Sequence, residues 1–417
     1  MTRTGDMGMT GRALPLRRWL AATGFCLAAS MAALNAAHAD DFTLRGSIEP
    51  EIRAFTQAAS NSRQTDSDLS IAGEITAKYF WDGGNQSLVF TPFGRLDQRD
   101  SRRTHWDLRE ARYARVMGDW EFRAGFDKVF WGVTEAVHLV DVVNQTDLLE
   151  DPIKQEARLG QPMVRLRTTQ NFGTVDVFVL PWFRERTFAG PNGRPAFDIP
   201  VDPSLTRYES SRQQRHVDGA VRYSNHFGDI DLGVAYFQGT NREPILTPAL
   251  SKDGDLVLAP FYAQMKQASL DVQATKGAWL YKFEGFWRRE LGREYEAATG
   301  GIEYTLYGIL GTDNDLGLVA EYALDSRGMT ARNPYQNDGF LALRWTANDA
   351  ASTSLLGGAV MDASTGALGL RFKGERRLGD DYRLSLEAYF FGNVPRRDPV
   401  YSIADDDYVQ LRIARYF

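Results

Sequence analysis

The chain has 417 residues, 43% hydrophobic and 24% charged, and its 48 basic and 54 acidic side chains give a net charge of −6. That balance argues against a nucleic-acid partner, which calls for a basic surplus. Beyond residue 40 no run of about 18 apolar residues could form a helical membrane span, and 38 glycines and 12% aromatics with almost no helical periodicity leave all-β architectures in front.

The chain opens on a targeting segment. Arg12, Arg17 and Arg18 precede an apolar run, Trp19 to Leu34, which closes on Ala37-His38-Ala39. This is the layout of a secretory signal peptide, residues 1–39, with cleavage after Ala39. Cys26 follows the bulky Phe25, which does not suit a lipoprotein signal. The segment carries four basic residues and one acidic one, so the exported chain, residues 40–417, has a net charge of −9 and no cysteine. Without disulfides, its stability must rest on burial and backbone pairing.

From Leu44 onward the polarity alternates with period two, as a strand with different solvents on its two faces requires. Leu44, Gly46, Ile48, Pro50 and Ile52 fall on one face; Arg45, Ser47, Glu49, Glu51 and Arg53 fall on the other. The same split separates Trp120, Phe122, Ala124 and Phe126 from Glu121, Arg123 and Asp127, and Trp279, Tyr281 and Phe283 from Lys282 and Glu284. The pattern predicts strands near 42–56, 68–80, 86–97, 103–117, 119–130, 161–169, 173–181, 212–224, 228–238, 259–274, 278–288, 295–307, 314–324, 338–346, 352–361, 367–376, 381–391 and 408–417. Segments of this length cross a bilayer at a tilt. Their apolar faces often end in Trp, Tyr or Phe, as an interfacial girdle requires.

Connections alternate between tight Gly/Asn/Asp turns and long loops, notably 131–160, 182–211, 239–258, 325–337 and 391–407. The expectation is an all-β transmembrane antiparallel barrel of 18 strands, within a range of 16–18, in the outer membrane of a Gram-negative cell envelope. The final strand, from Tyr408 to a terminal Phe417, has the form of the signal read by the barrel-assembly machinery. Barrel-assembly machinery and outer-membrane lipid are therefore expected partners.

Residues 131–160 break the alternation. Val133, Val137, Val140 and Val143 fit helical spacing, which predicts a short helical loop folded into the lumen. The loop brings Glu135, Asp141, Asp147, Glu150 and Asp151. Neighbouring strands offer Arg109, Arg123, Arg165 and Arg167 on the lumen side. Acid on a loop opposite arginine on a wall makes a charged constriction that selects by field and size. Glu135, Asp141, Asp147 and these four arginines are therefore the candidate selectivity residues, with Arg165 and Arg167 preferred because a planar donor fork suits carboxylates, phosphates and sugar hydroxyls.

The runs FWGVTEAVHLVDVVNQTDLLEDP (Phe130–Pro152), RERTFAG (Arg184–Gly190) and DDDYVQLRIARYF (Asp405–Phe417) resemble a family of uncharacterised proteobacterial outer-membrane barrels of porin-like character. The resemblance implies fold and location but no substrate. More loosely, the chain is similar to substrate-specific porins and to alginate-export barrels.

A barrel of this size leaves an aqueous lumen, so a porin-like channel for small hydrophilic solutes is the expected function. The alternative is an export conduit or scaffold that works with an envelope partner. A barrel-embedded hydrolase would need a nucleophile beside a His and an orienting carboxylate. The exported chain has four histidines, and only His216 with Asp218 and His138 with Asp141 offer such spacing. No Gly-x-Ser-x-Gly or His-Glu-x-x-His motif occurs. No enzymatic activity, cofactor or metal is expected.

Overall fold

The computed structural model describes residues 41–59, 61–153 and 156–417. The expected signal peptide, residues 1–39, lies outside the described residues. The chain from Leu44 to Phe417 makes one compact unit, built from strands in chain order. The first seven are β1 (Phe42–Phe55), β2 (Ser67–Trp81), β3 (Gln86–Asp97), β4 (His105–Met117), β5 (Trp120–Asp127), β6 (Gln161–Gln170) and β7 (Gly173–Leu180). After the short β8 (Arg207–Tyr208) come β9 (Asp218–Phe227) and β10 (Ile230–Thr240), then β11 (Ile245–Leu250), β12 (Leu256–Tyr262) and β13 (Gln264–Lys276). The remainder are β14 (Trp279–Glu290), β15 (Arg293–Leu306), β16 (Asp315–Asp325), β17 (Asn337–Thr346), β18 (Ser354–Asp362), β19 (Leu368–Leu378), β20 (Tyr382–Gly392) and β21 (Tyr408–Tyr416).

Eighteen of these strands pair in sequence order into a closed antiparallel barrel. Closure is made by β1 on β21, from Ser47 opposite Tyr416 to Phe55 opposite Tyr408. Closure leaves no strand edge, as a spanning sheet requires. The other three strands form a separate small sheet, β11–β12 antiparallel with β8 parallel to β12, within the long connections.

The strand count is the one alternation predicts, and most boundaries agree within a few residues. The exceptions are β9 and β13, which begin at Asp218 and Gln264 rather than at 212 and 259. At the short-turn end, Gly118, Gly228 and Gly277 each stand first in a two-residue turn with φ of +59°, +61° and +60°. Glycine takes this conformation without steric cost, and the turn's twist matches that of the strands it joins.

The two faces differ as the alternation requires. Leu88, Phe90, Leu341 and Leu343 point outward and are about half exposed or more. So large an apolar outer surface suits lipid rather than water. Trp120, Phe172, Phe227, Trp279, Tyr307 and Phe417 stand exposed near the short-turn end of this band. Phe417 also donates to and accepts from Gly46 across the closure, and its ring fills the space where a side chain on Gly46 would stand. Tyr408, nine residues earlier, has the opposite parity. It points inward and packs between Phe55 and Tyr389 at ring-centroid distances of 5.8 and 5.3 Å.

Residues 131–160 do fold inward, but without the expected helix. No described residue among them is helical, and the segment's one ladder contact is an isolated bridge, Thr146 with Arg158. The valines are buried for another reason. Val137 and Leu139 pack on Phe286, Tyr295 and Ala297 of the wall, whereas Val140, Val142 and Val143 pack on Met163, Phe178 and Phe237. β-Branched residues pay for a helix in side-chain freedom, and here the wall offers the main chain other acceptors.

Candidate functional site

Strand β5 ends at Asp127 and the chain enters the lumen over Gly132, whose φ is +143°. A side chain there would meet His138 Nδ1 at 2.9 Å and Glu284 Oε1 at 3.0 Å. Both the dihedral and the space therefore call for glycine.

Two wall carboxylates then hold the loop by its main chain. Glu284 of β14 accepts from the N–H groups of Val133 (2.7 Å) and Thr134 (3.0 Å) and from the Thr134 hydroxyl (2.8 Å). Its second oxygen accepts from the Val140 N–H at 3.3 Å. Glu321 of β16 accepts from Glu135 N–H (2.8 Å) and Ala136 N–H (2.8 Å). Consecutive N–H groups aimed at one point form an anion-binding concavity. In this loop the anions are side chains of the barrel itself.

The Glu135 side chain continues to Arg344 of β17 (2.8 Å) and Arg371 of β19 (3.7 Å). The Asp141 carboxylate is covered and pairs within the loop with Arg158 at 2.8 Å. Asn144 ties the two limbs together, accepting from Val129 N–H and donating to the carbonyls of Asp127 and Leu159. Asp147 accepts from the Thr187 hydroxyl at 2.7 Å. Glu150 then takes the Arg95 guanidinium of β3 on both oxygens, each at 2.8 Å, with Arg109 of β4 at 3.8 Å. Between Glu135 and Glu150 the loop has crossed the barrel from β17 and β19 to β3 and β4.

The crossing separates two cavities. One of about 610 Å³ lies toward the long loops; the other, of about 410 Å³, lies toward the short turns and is lined by Glu49, Glu74, Lys373, Glu387 and Arg412. Arg371 and Tyr389 line both.

The seven candidate residues thus separate. Glu135 stands at the crossing against Arg344 and Arg371, and Arg109 lines the smaller cavity beneath Glu150, its guanidinium 3.7 Å over the Phe93 ring. Asp147 is a buried support within the loop, and Asp141 is a half-buried one whose carboxylate is covered. Arg123 pairs with Glu121 and Asp127 at 2.6 and 3.5 Å. Arg165 and Arg167 share Asp176, at 2.7 and 2.8 Å, and line neither cavity. Glu284, Glu321 and Arg344 were not among the candidates. Their trace in the sequence is a charge at an inward position of an otherwise apolar strand, as in Ala320-Glu321-Tyr322-Ala323. The histidine pairs join ion networks. His216 Nδ1 is 2.8 Å from Asp218, which also takes Arg242, and His138 lies 3.7 Å from Glu284 and 3.9 Å from Glu156.

The loop's own titrating groups depend on this packing. Burial disfavours the His138 imidazolium, but the carboxylates of Glu156 and Glu284 outweigh it and raise the group to about 9. Burial would also raise Glu150, yet Arg95, Arg103 and Arg109 hold it at about 2. At Asp141 burial prevails over Arg158 and the carboxyl is raised. His138 therefore stabilises the docked loop fully below its unfolded value of about 6.5, and that stabilisation is lost as pH rises through about 9. Glu150 contributes above its unfolded value, and its contribution fades toward pH 2. We expect proteolysis within residues 131–160 to quicken between pH 7 and 10 in the parent chain and not in His138→Gln. The same pH response in both proteins would refute the assignment.

No protein-family model matches the chain, and no curated protein matches its sequence. The resemblance to proteobacterial barrels therefore rests on the motifs that carry it. Solved structures do match. Wzi, an outer membrane protein involved in group 1 capsule assembly in Escherichia coli and described as a carbohydrate-binding β-barrel, superposes with a TM-score of 0.51 at 10% identity, over 88% of this chain and 83% of that one. A mutant Rh. blastica porin superposes with a TM-score of 0.43 at 10% identity, over 90% of this chain and 100% of that one. OmpT, an outer membrane protein of Vibrio cholerae, gives 0.42 at 10% identity, over 90% and 99%. The likeness to Wzi shows the fold, a β-barrel of the outer-membrane type.

Proposed function

We propose that this chain is a porin-like outer-membrane channel through which small hydrophilic solutes diffuse, with residues 131–160 as its constriction. One observation carries the reading. The loop crosses the lumen between two cavities that share Arg371 and Tyr389, so a solute passing between them meets Arg371, and behind it Glu135, which pairs with Arg371 and Arg344. A mixed-charge aperture of this kind filters by size and field. The selectivity role falls on Glu135, Arg344 and Arg371, with Arg109 below them.

The test is single-channel conductance of the mature protein in a planar bilayer under a salt gradient. At about 4 Å one unit charge in water is worth about 1 kcal/mol to each ion, with opposite sign for anion and cation, so Glu135→Gln should raise the anion-to-cation permeability ratio by up to about thirtyfold. Arg165→Ala and Arg167→Ala should leave the reversal potential in place, because both side chains are turned to Asp176 and line neither cavity. An unmoved reversal potential in Glu135→Gln would remove Glu135 from the aperture. Silence from demonstrably folded protein would remove the channel, leaving a conduit that opens only with an envelope partner.

A further inference from the structure

The larger cavity carries more than a passage needs. It has a size typical of ligand sites, and part of its wall is apolar, with Leu139, Val201, Leu246 and Phe286 among the lining. Among the seven arginines that line it, Arg186, Arg288, Arg327 and Arg332 concern the argument. Three carboxylates answer them. Arg327 takes Asp325 at 2.6 Å, Arg332 takes Glu290, and Arg288 reaches Glu243 at 3.4 Å. Arg186 is left over. Its single side-chain hydrogen bond is Nε to Gln145 at 3.4 Å, and it has no ion-pair partner among the described residues. The Arg332 Nε is likewise buried without an acceptor. Burial and the neighbouring Arg158 and Arg332 push the Arg186 guanidinium below its ordinary range despite Glu243. An uncompensated cation in such surroundings is costly unless an anion completes it.

The adjoining sector has the reverse sign. Asp338, Asp362 and Asp398, on β17, at the end of β18 and in the loop after β20, also line the cavity and have no basic partner among the described residues. They would repel any second negative group. We propose that this cavity binds a small organic monoanion with an apolar body, an aryl or alkyl carboxylate, whose carboxylate is taken by Arg186 and Arg332 and whose body lies on Leu246 and Phe286. Two guanidinium forks recognise a carboxylate by geometry as well as charge.

This deepens the channel reading by naming a solute class, and it rests on that reading only for what the site is used for. Binding is therefore measured apart from conduction, by titration calorimetry on the full mature barrel in detergent. Phenylacetate should bind, and loss of one charged hydrogen-bonding partner should weaken phenylacetamide about tenfold or more. Phthalate, a dianion, and inorganic phosphate, which lacks an apolar body, should be weakened by a similar factor. Arg186→Gln should lose about tenfold for phenylacetate and Arg186→Lys less, since the lysine keeps the charge without the fork. Arg289→Gln serves as the control, being next in sequence to Arg288 but largely exposed on the outside. Heat-modifiable gel mobility verifies that each variant is folded. Equal binding of the amide and the acid, or undiminished binding by folded Arg186→Gln, would overturn the proposal. Binding without conductance would leave the site standing and remove the channel; conductance without binding would do the opposite.

Discussion

Replacing Glu284 with alanine is expected to release the constriction loop while leaving the barrel closed. The carboxylate is fully buried and accepts from three main-chain N–H groups and one hydroxyl of the loop, with His138 at ion-pair distance. Without it those donors lose their acceptor and the imidazolium loses its nearest counter-charge. Removing one partner from a buried ionic arrangement costs about 3–5 kcal/mol, enough to convert a docked loop into one that samples the open lumen. The strands pair with one another through their own ladders, so the barrel should still fold. We expect rapid protease cleavage between residues 133 and 144, and a larger, noisier single-channel current. Glu284→Gln should be intermediate, because an amide oxygen still accepts but carries no charge. Cleavage no faster than in the parent would show that Glu284 does not hold the loop.

The second large effect is expected at Glu51, and there the barrel itself should weaken. Glu51 of β1 is 3% exposed and meets four guanidiniums: Arg103 at 2.7 Å, Arg412 at 2.9 Å, Arg53 at 3.2 Å and Arg95 at 3.4 Å. These belong to β1, β3, the β3–β4 connection and β21, so a single carboxylate ties the closing seam to its neighbours. Glu51→Ala would leave four positive charges facing one another in a buried cluster, at a cost of at least about 3–5 kcal/mol. The temperature at which the folded band disappears from a heat-modifiability gel should fall clearly. Glu51→Asp should recover part of the loss and Glu51→Gln little. A parent-like transition in Glu51→Ala would mean that water, not Glu51, screens the cluster. The two glutamates thus separate gating from closure, and neither variant should imitate the other.

Much of this was legible in the chain. The outward face of each strand reads directly from alternation, because a residue of the wrong parity would put a charge into lipid. The small sheet was not legible. Its β12 runs into β13 with Tyr262 and Ala263 both fully buried, so the apolar pattern continues unbroken through the point where the chain leaves the outer sheet for the barrel. The inward course of residues 131–160 could be read from their position and acidity, but their conformation could not. Valine spacing reports which residues are buried, and two separate patches of wall can bury them as well as one helical face. The identity of the receiving carboxylates was out of reach for a different reason. Lys282, Glu284, Glu303, Glu321 and Arg344 are alike in sequence, and only the barrel's curvature decides which of them faces the loop.

The wall's grip on the loop has a consequence for how such a barrel could be altered. Glu284 and Glu321 take hold of amides at Val133, Thr134, Glu135 and Ala136, and an amide is common to every residue except proline. The attachment is therefore nearly blind to the side chains it positions. Position 135 can be exchanged for a neutral, basic or bulky residue while the segment is still presented at the same place, so permeation could be retuned by single substitutions with the scaffold left as it is. A proline at any of positions 133 to 136 is the one exchange the attachment cannot absorb.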